Sequence, residues 1–98
     1  MGMQQVLADK NHKILKVEFP AGSQMPEHHA TSDAFIILVK GRANIVFKDG
    51  EHELKSGDSF LIPERKKHHL SIKEDFMAYV VMGPDAAIEG LPAGIAGN

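Results

Sequence analysis

The segment AFIILVKGRANIVFKDGEHELKSGDSFLIP, residues 34–63, decides the fold class of this chain. Its first six residues are all apolar, whereas polar and apolar side chains largely alternate over residues 42–47. Alternation with a period of two predicts a strand with one buried face, and a short apolar run is typical of a strand covered on both faces. Asp49-Gly50 and residues 55–58 have turn chemistry. The segment therefore predicts short antiparallel strands joined by tight turns.

The same periodicity continues on both sides of this segment. A half-buried strand is predicted over residues 12–19, and residues 68–72 and 76–82 form two further strands. Gly41 and Glu74-Asp75 are predicted to separate strands, because glycine and acidic residues favour turns. Helical periodicity is nearly absent. The pattern therefore favours an all-β sandwich or barrel.

Length and composition predict one domain, residues 1–98. A chain of 98 residues with 43% hydrophobic and 24% charged residues is an ordinary globular protein with room for a single core. We expect the barrel to occupy about residues 12–82 and the Gly-, Ala- and Pro-rich residues 83–98 to form an irregular C-terminal tail. With no cysteine, the chain has no disulfides and no thiolate metal ligands.

Charge and hydropathy argue against nucleic-acid and membrane partners. The formal net charge is −2, and the one basic run, Arg65-Lys66-Lys67, is short and predicted to be a solvated loop. Residues 1–10 lack the basic flank and apolar core of a signal peptide, and no apolar run reaches membrane-spanning length. We therefore expect a cytoplasmic protein with no nucleic-acid or membrane partner.

Two glycine-led motifs follow one another along the predicted strands. The first begins at Gly22, has five residues before His28, and closes at Gly41. The second begins at Gly57 and has five residues before Pro63, which His68 follows five positions later. An Asp-Gly hairpin lies between the two motifs.

Together these motifs resemble the paired motifs of the cupin superfamily, over Gly22 to about Ile72. The second motif departs from the family pattern at one place, where Arg65 replaces a glycine. The resemblance implies a double-stranded β-helix, a jelly-roll barrel, which agrees with the strand pattern. Such a fold serves enzymes, storage proteins and regulators alike, so it does not choose a function.

In metal-dependent cupins four side chains of these motifs bind a divalent metal. By resemblance, His28 and His68 match two of these ligands, but Ala30 and Ala34 stand where the second histidine and the glutamate belong. The metal site implied is therefore His28 and His68, with His29 as a further candidate. Zn, Fe, Mn or Ni would suit imidazole ligands, and the alternative is that no metal binds.

Three neighbours of the matched positions carry side chains that could replace the lost ligands: His29, Asp33 and His69. Strand alternation argues against all three, because a residue beside an inward ligand points outward unless a bulge shifts it. Pro26 makes such an irregularity plausible near His29.

Two functions follow from this reading. The first is a binding module that holds a small-molecule ligand inside the barrel, with Met25, His28 and His68 lining the pocket. The alternative is a metal-dependent enzyme of the dioxygenase, isomerase or decarboxylase type, for which neither Glu27 nor Asp33 can be assigned as the general base. The sequence does not decide whether the chain is an enzyme.

A homodimer is also expected, because small cupins commonly pair through edge strands and terminal segments. Such pairing covers the exposed edges of strands, whose backbone N–H and C=O groups are otherwise unpaired. The segment Gln4 to Leu7 is the predicted crossing element.

Overall fold

The protein is an all-β molecule in the computed structural model, which describes residues 2–91. Its eight strands are β1 (Gly2–Ala8), β2 (Lys13–Phe19), β3 (Gln24–Ala30), β4 (Ala34–Phe47), β5 (Gly50–Lys55), β6 (Ser59–Ile62), β7 (His68–Met82) and β8 (Ile88–Glu89). No helix occurs in the described part of the chain. The predicted fold class is therefore confirmed.

The strands form one curled antiparallel sheet, consistent with a double-stranded β-helix. Strand β7 is central, because it pairs with β2, β3 and β4, while β4 also pairs with β5 and β6. At the two margins, β1 pairs with β2 and β8 pairs with β3. The Lys48-Asp49 loop joins β4 to β5, where a hairpin is predicted. The curl encloses one core.

Strands β4 and β7 are longer than the sequence pattern predicts. Residues 34–47 and 68–82 are each continuous, so the predicted breaks at Gly41 and Glu74-Asp75 are bends rather than ends. Gly41 has a φ of 92°, and a Cβ at this position would collide with the carbonyl oxygen of Asp75. Glycine therefore permits the bend and the close approach of β7 that keep β4 continuous.

The core lies inside the curl and consists of alternating side chains from most strands. Leu38, Ile45 and Ile72 are the largest fully buried side chains. Burying each such side chain contributes about 1.5–3 kcal/mol. Both halves of β4 contribute inward side chains. The inward residues have even numbers as far as Leu38 and odd numbers from Ala43 onward, because the register is irregular between these two residues. The bend therefore preserves a single core.

The outer face of β4 corrects one expectation from the sequence. The apolar run 34–39 suggests a strand covered on both faces, yet Phe35, Ile37 and Val39 are 41%, 38% and 45% exposed. Leu61 beside them on β6 is 52% exposed. Within residues 2–91 the barrel has one wall, so only the inward residues of the run meet a core.

The chain termini add two strands outside the predicted barrel limits of 12–82. Strand β1 precedes that range and includes the segment Gln4 to Leu7, which pairs with β2 of the same chain. Strand β8 lies within the tail predicted to be irregular, and residues 92–98 of that tail lie outside the described residues. Over residues 2–91 the structure contains no helix long and apolar enough to cross a membrane.

Candidate functional site

A bulge in β3 determines which histidine faces the interior. Met25 pairs with Leu70 and His28 pairs with His68, so three steps along β3 oppose two steps along β7. The extra residue falls at Pro26-Glu27, where proline has no N–H to donate to the ladder. Strict alternation from buried Met25 would direct His29 inward. Because of the bulge, His28 is buried instead.

His28 and His68 are cross-strand neighbours whose rings touch inside the barrel. They are 6% and 4% exposed, and they are the only buried polar residues among those described. Their ring centroids lie 4.3 Å apart with an interplanar angle of 64°. Phe47 also packs against His68, with 5.6 Å between ring centroids. The sequence therefore places two imidazoles in an otherwise apolar core.

Each imidazole is held by a backbone carbonyl two residues earlier in the chain. His28 Nδ1 lies 2.7 Å from the Pro26 oxygen, and His68 Nδ1 lies 2.8 Å from the Lys66 oxygen. A carbonyl oxygen only accepts, so each Nδ1 carries the proton and donates it. Neither Nε2 has a hydrogen-bond partner within residues 2–91. Both rings therefore have one fixed nitrogen and one open nitrogen.

Burial keeps both rings neutral. It lowers the pKa of His68 to about 4, against a weaker opposing effect of the hydrogen bond to Lys66. Burial also lowers the pKa of His28, again opposed by its carbonyl partner and assisted by the nearby His29 and His69. An imidazole that is neutral at pH 7 with its proton on Nδ1 has a lone pair on Nε2.

These two histidines line an apolar, partly open cavity of about 40 Å³. A cavity of this size holds roughly two or three water molecules. The remaining lining is apolar: Met3, Val17, Met25, Ala30, Ala34, Ile36, Ile62, Leu70, Val80, Met82 and Ile88. Every side-chain N or O atom without accessible surface has a partner in the described residues, so each open Nε2 retains some accessible surface.

A second, open cleft of about 270 Å³ adjoins the cavity. The two spaces share Met3, Met82 and Ile88, which form the wall between them. Lys13 lies in the cleft, where its Nζ donates to the Ala86 carbonyl oxygen at 2.6 Å. Methionine side chains are flexible, so this wall is easily rearranged.

The four ligand positions implied by the sequence motifs do converge, but the side chains do not fit a four-ligand metal centre. Ala30 and Ala34 line the same cavity as the two histidines. Alanine supplies no donor atom, which leaves two imidazoles. Residues 2–91 contain no group of three or more His, Cys, Asp or Glu side chains able to hold a metal ion.

The neighbours considered as replacement ligands lie elsewhere. His29 is not part of the cavity lining, and its Nε2 is 2.9 Å from the Glu89 carboxylate. The exposed Asp33 carboxylate accepts a hydrogen bond of 2.8 Å from the Glu64 N–H. His69 alternates with inward His68 on β7. The structure therefore brings Met25, His28 and His68 together and leaves the other three outside.

The one departure in the second motif has a backbone explanation. Arg65, which replaces the motif glycine, is the only described non-glycine residue with a positive φ, at 60°. This left-handed conformation is the one that favours glycine. The chain therefore keeps the turn that the motif requires although it has lost the residue type.

Comparison with known families agrees with this geometry. The model of the family described as Cupin domain matches residues 15–83. The chain belongs to the cupin family. The matched range includes both histidines and most of the barrel, so the resemblance inferred from the two motifs is confirmed.

Relatives of this cupin show its fold but not its activity. An uncharacterized protein from Methanocaldococcus jannaschii is 26% identical over 82 residues, which cover 82% of this chain and 71% of that protein. A solved RmlC-like cupin with a double-stranded β-helix fold from the same organism has a TM-score of 0.75 at 24% identity, covering 84% and 78% of the two chains.

An enzyme is also among the structural relatives. A mutant salicylate 1,2-dioxygenase from Pseudoaminobacter salicylatoxidans has a TM-score of 0.73 at 17% identity. The match covers 83% of this cupin but 26% of the dioxygenase chain. Such a likeness concerns the fold alone.

The residues shared by the cavity and the cleft were not predicted from the sequence. Met3 and Met82 occupy inward positions on β1 and β7, so strand alternation could have assigned them to the interior. Ile88 gives no such signal, because its two-residue strand lies in a segment without periodicity. Lys13 and Ala86 meet only through the tertiary fold.

Proposed function

We propose that this cupin is a binding module that holds a small molecule at its buried histidine pair without a resident metal. One observation carries the proposal. Two neutral imidazoles, each fixed through Nδ1 and without a described hydrogen-bond partner at Nε2, line an apolar cavity. Polar atoms in a protein interior are normally paired, and here each Nε2 keeps accessible surface through which a ligand or water can become its partner.

Size limits what the cavity accommodates. Ligand pockets for typical small molecules have volumes of about 300–1,000 Å³. The inner cavity of about 40 Å³ therefore holds only the head of a ligand, whereas the adjoining cleft of about 270 Å³ has room for its body. Rotation of Met3 or Met82 would join the two spaces, because both side chains belong to the shared wall.

The absence of a resident metal follows from the donor set. Two imidazoles leave most coordination positions of a divalent ion to water, so we expect weak binding. Protein purified without an affinity tag should contain much less than one equivalent of any transition metal by elemental analysis. One tightly held equivalent that is lost in His28→Ala and in His68→Ala would instead support the metalloenzyme alternative.

A gain-of-function variant sharpens this metal test. Ala30 and Ala34 face the cavity beside the histidines, so Ala30→His with Ala34→Glu would restore four donors. We expect this double variant to bind Zn²⁺ at least 100-fold more tightly than wild type in a competition titration with a chelator. The single variant Ala30→His, which adds no buried carboxylate, provides a three-histidine intermediate. Equal affinity in all three proteins would contradict the arrangement of the four positions.

Ligand binding is tested by NMR on the intact chain. Small neutral compounds of about four to ten heavy atoms should shift the backbone amide signals of β3 and β7 around the cavity. His28→Leu should weaken binding, while His69→Leu, on the other side of the neighbouring strand, serves as the matched control. The proposal fails if no compound perturbs the cavity signals, or if both variants behave alike.

We further propose that the protein is a homodimer that pairs through an outer band of the barrel. The band runs across five strands through directly paired positions: Leu61, Phe35, Val81, Ile14 and Leu7. At a strand spacing of about 4.8 Å it extends about 19 Å. None of its members is charged, so a second copy related by a twofold axis would cover it without burying a charge.

A further inference from the structure

The histidine pair also restricts the chemistry of the ligand. Resting on the proposed function, we infer that the buried head of the ligand is a neutral hydrogen-bond donor, such as an alcohol, a phenol or an azole N–H, and not a carboxylate. The inference follows from the two carbonyl contacts and from the lining of the cavity.

The carbonyl contacts determine where the imidazole protons are. The oxygens of Pro26 and Lys66 accept from the two Nδ1 atoms at 2.7 and 2.8 Å. A neutral ring has only one N–H, so Nε2 of His28 and of His68 can only accept. The histidine pair therefore offers two acceptors and no donor to the cavity.

Within residues 2–91, no other group that lines the cavity changes this polarity. Thirteen of the described residues line it, and all of these except the two histidines are apolar. A carboxylate would lose its hydration and find no donor there, which is costly for an ion. Protonating a histidine to provide a donor would place a charge on a buried ring in an otherwise apolar lining, which is also costly. A hydroxyl or N–H would instead satisfy an acceptor that otherwise lacks a partner.

The two alanines explain why the cavity offers hydrogen-bond acceptors and no positive charge. A metal ion at the four family positions would present a positive charge to the cavity, and a positive charge attracts anionic oxygens. With Ala30 and Ala34 in two of those positions, the remaining imidazoles present lone pairs instead. Lone pairs accept hydrogen bonds, so this site favours neutral donors where a metal site favours anionic oxygens.

Matched probes test the inference on the wild-type chain. Butan-1-ol is compared with butyrate, and phenol with benzoate, at pH 7.5 by NMR titration of the cavity signals. We expect each neutral donor to bind at least tenfold more tightly than its carboxylate partner. Anisole, which keeps the ring of phenol but lacks the hydroxyl proton, should bind more weakly than phenol by a similar factor.

The tautomers are measured separately in the ligand-free protein. Long-range ¹H–¹⁵N correlation spectra should show Nε2 of both histidines as unprotonated and Nδ1 as protonated. A proton on either Nε2, or carboxylates that bind as tightly as the neutral donors, would overturn the inference while leaving a binding module in place. If no probe binds at the cavity, the proposed function fails together with the inference.

Discussion

The two faces of β4 carry similar side chains and have opposite environments. On the inner face Ile36 and Leu38 are 2% and 1% exposed, whereas on the outer face Ile37 and Val39 are 38% and 45% exposed. The side chains on both faces of β4 are therefore apolar, and the curl of the sheet alone determines which face is buried. An apolar run shows that a strand belongs to the core, but it does not show how many of its faces are covered.

Adjacent isoleucines provide the largest test of this comparison. We expect Ile36→Ala to lower the free energy of unfolding by about 2–5 kcal/mol, because it removes buried methyl groups and leaves a cavity. Ile37→Ala should cost less than about 1.5 kcal/mol, since its side chain already contacts solvent. Urea denaturation at a fixed protein concentration measures both. Equal losses would mean that the outer face is as well covered as the core.

Acid should destabilise the inner face through its histidines. Because the folded-state pKa of His68 is about 4, below its ordinary value of 6.5, the unfolded chain takes up the proton first as pH falls. The stabilisation is complete above about pH 6.5 and is lost toward pH 4, by about 2–3 kcal/mol. Urea denaturation between pH 7.5 and pH 4.5 should show this loss. His68→Phe should reduce it, and His69→Gln, which keeps His68, should not.

Introducing a charge on the outer face should weaken the proposed dimer. Ile37 adjoins the outer band on β4, so Ile37→Lys should weaken the proposed dimer by roughly 2 kcal/mol, the scale of an interface hot spot. Sedimentation velocity at micromolar concentration is expected to show a dimer for wild type and a monomer for this variant. Gln24→Lys adds the same charge at an exposed position of β3 and should remain dimeric. A wild-type protein that is mainly monomeric would contradict the proposal.

The smallest expected change in stability comes from backbone strain at Arg65, which belongs to neither face of β4. Arg65→Gly should relieve a left-handed conformation that costs an L-residue about 1–2 kcal/mol, offset by about 0.5–1 kcal/mol of extra entropy in the unfolded chain. We expect a net stabilisation below about 1 kcal/mol. Arg65→Ala removes the guanidinium but keeps the Cβ, so it should not stabilise the protein. Thermal unfolding of the two variants distinguishes strain from side-chain contacts.

The sequence motifs predicted more of the site than the strand pattern did. Alternation counted from Met25 directs His29 inward, whereas alternation counted from the motif position His28 directs His29 outward, and the structure buries His28. The inward positions change along β3 because a bulge at Pro26-Glu27 inserts one residue, and a bulge of this kind is a property of strand pairing.

The amino-acid sequence by itself determined the fold class, the family and the loss of two metal-ligand positions, because periodicity, glycine spacing and residue type are local properties. Only the tertiary structure decided that β4 and β7 bend without breaking, that one face of residues 34–39 stays uncovered, and that Met3, Met82 and Ile88 divide a cavity from a cleft. These features depend on how strands distant in sequence pair and curl, and such pairing leaves no local signal in the chain.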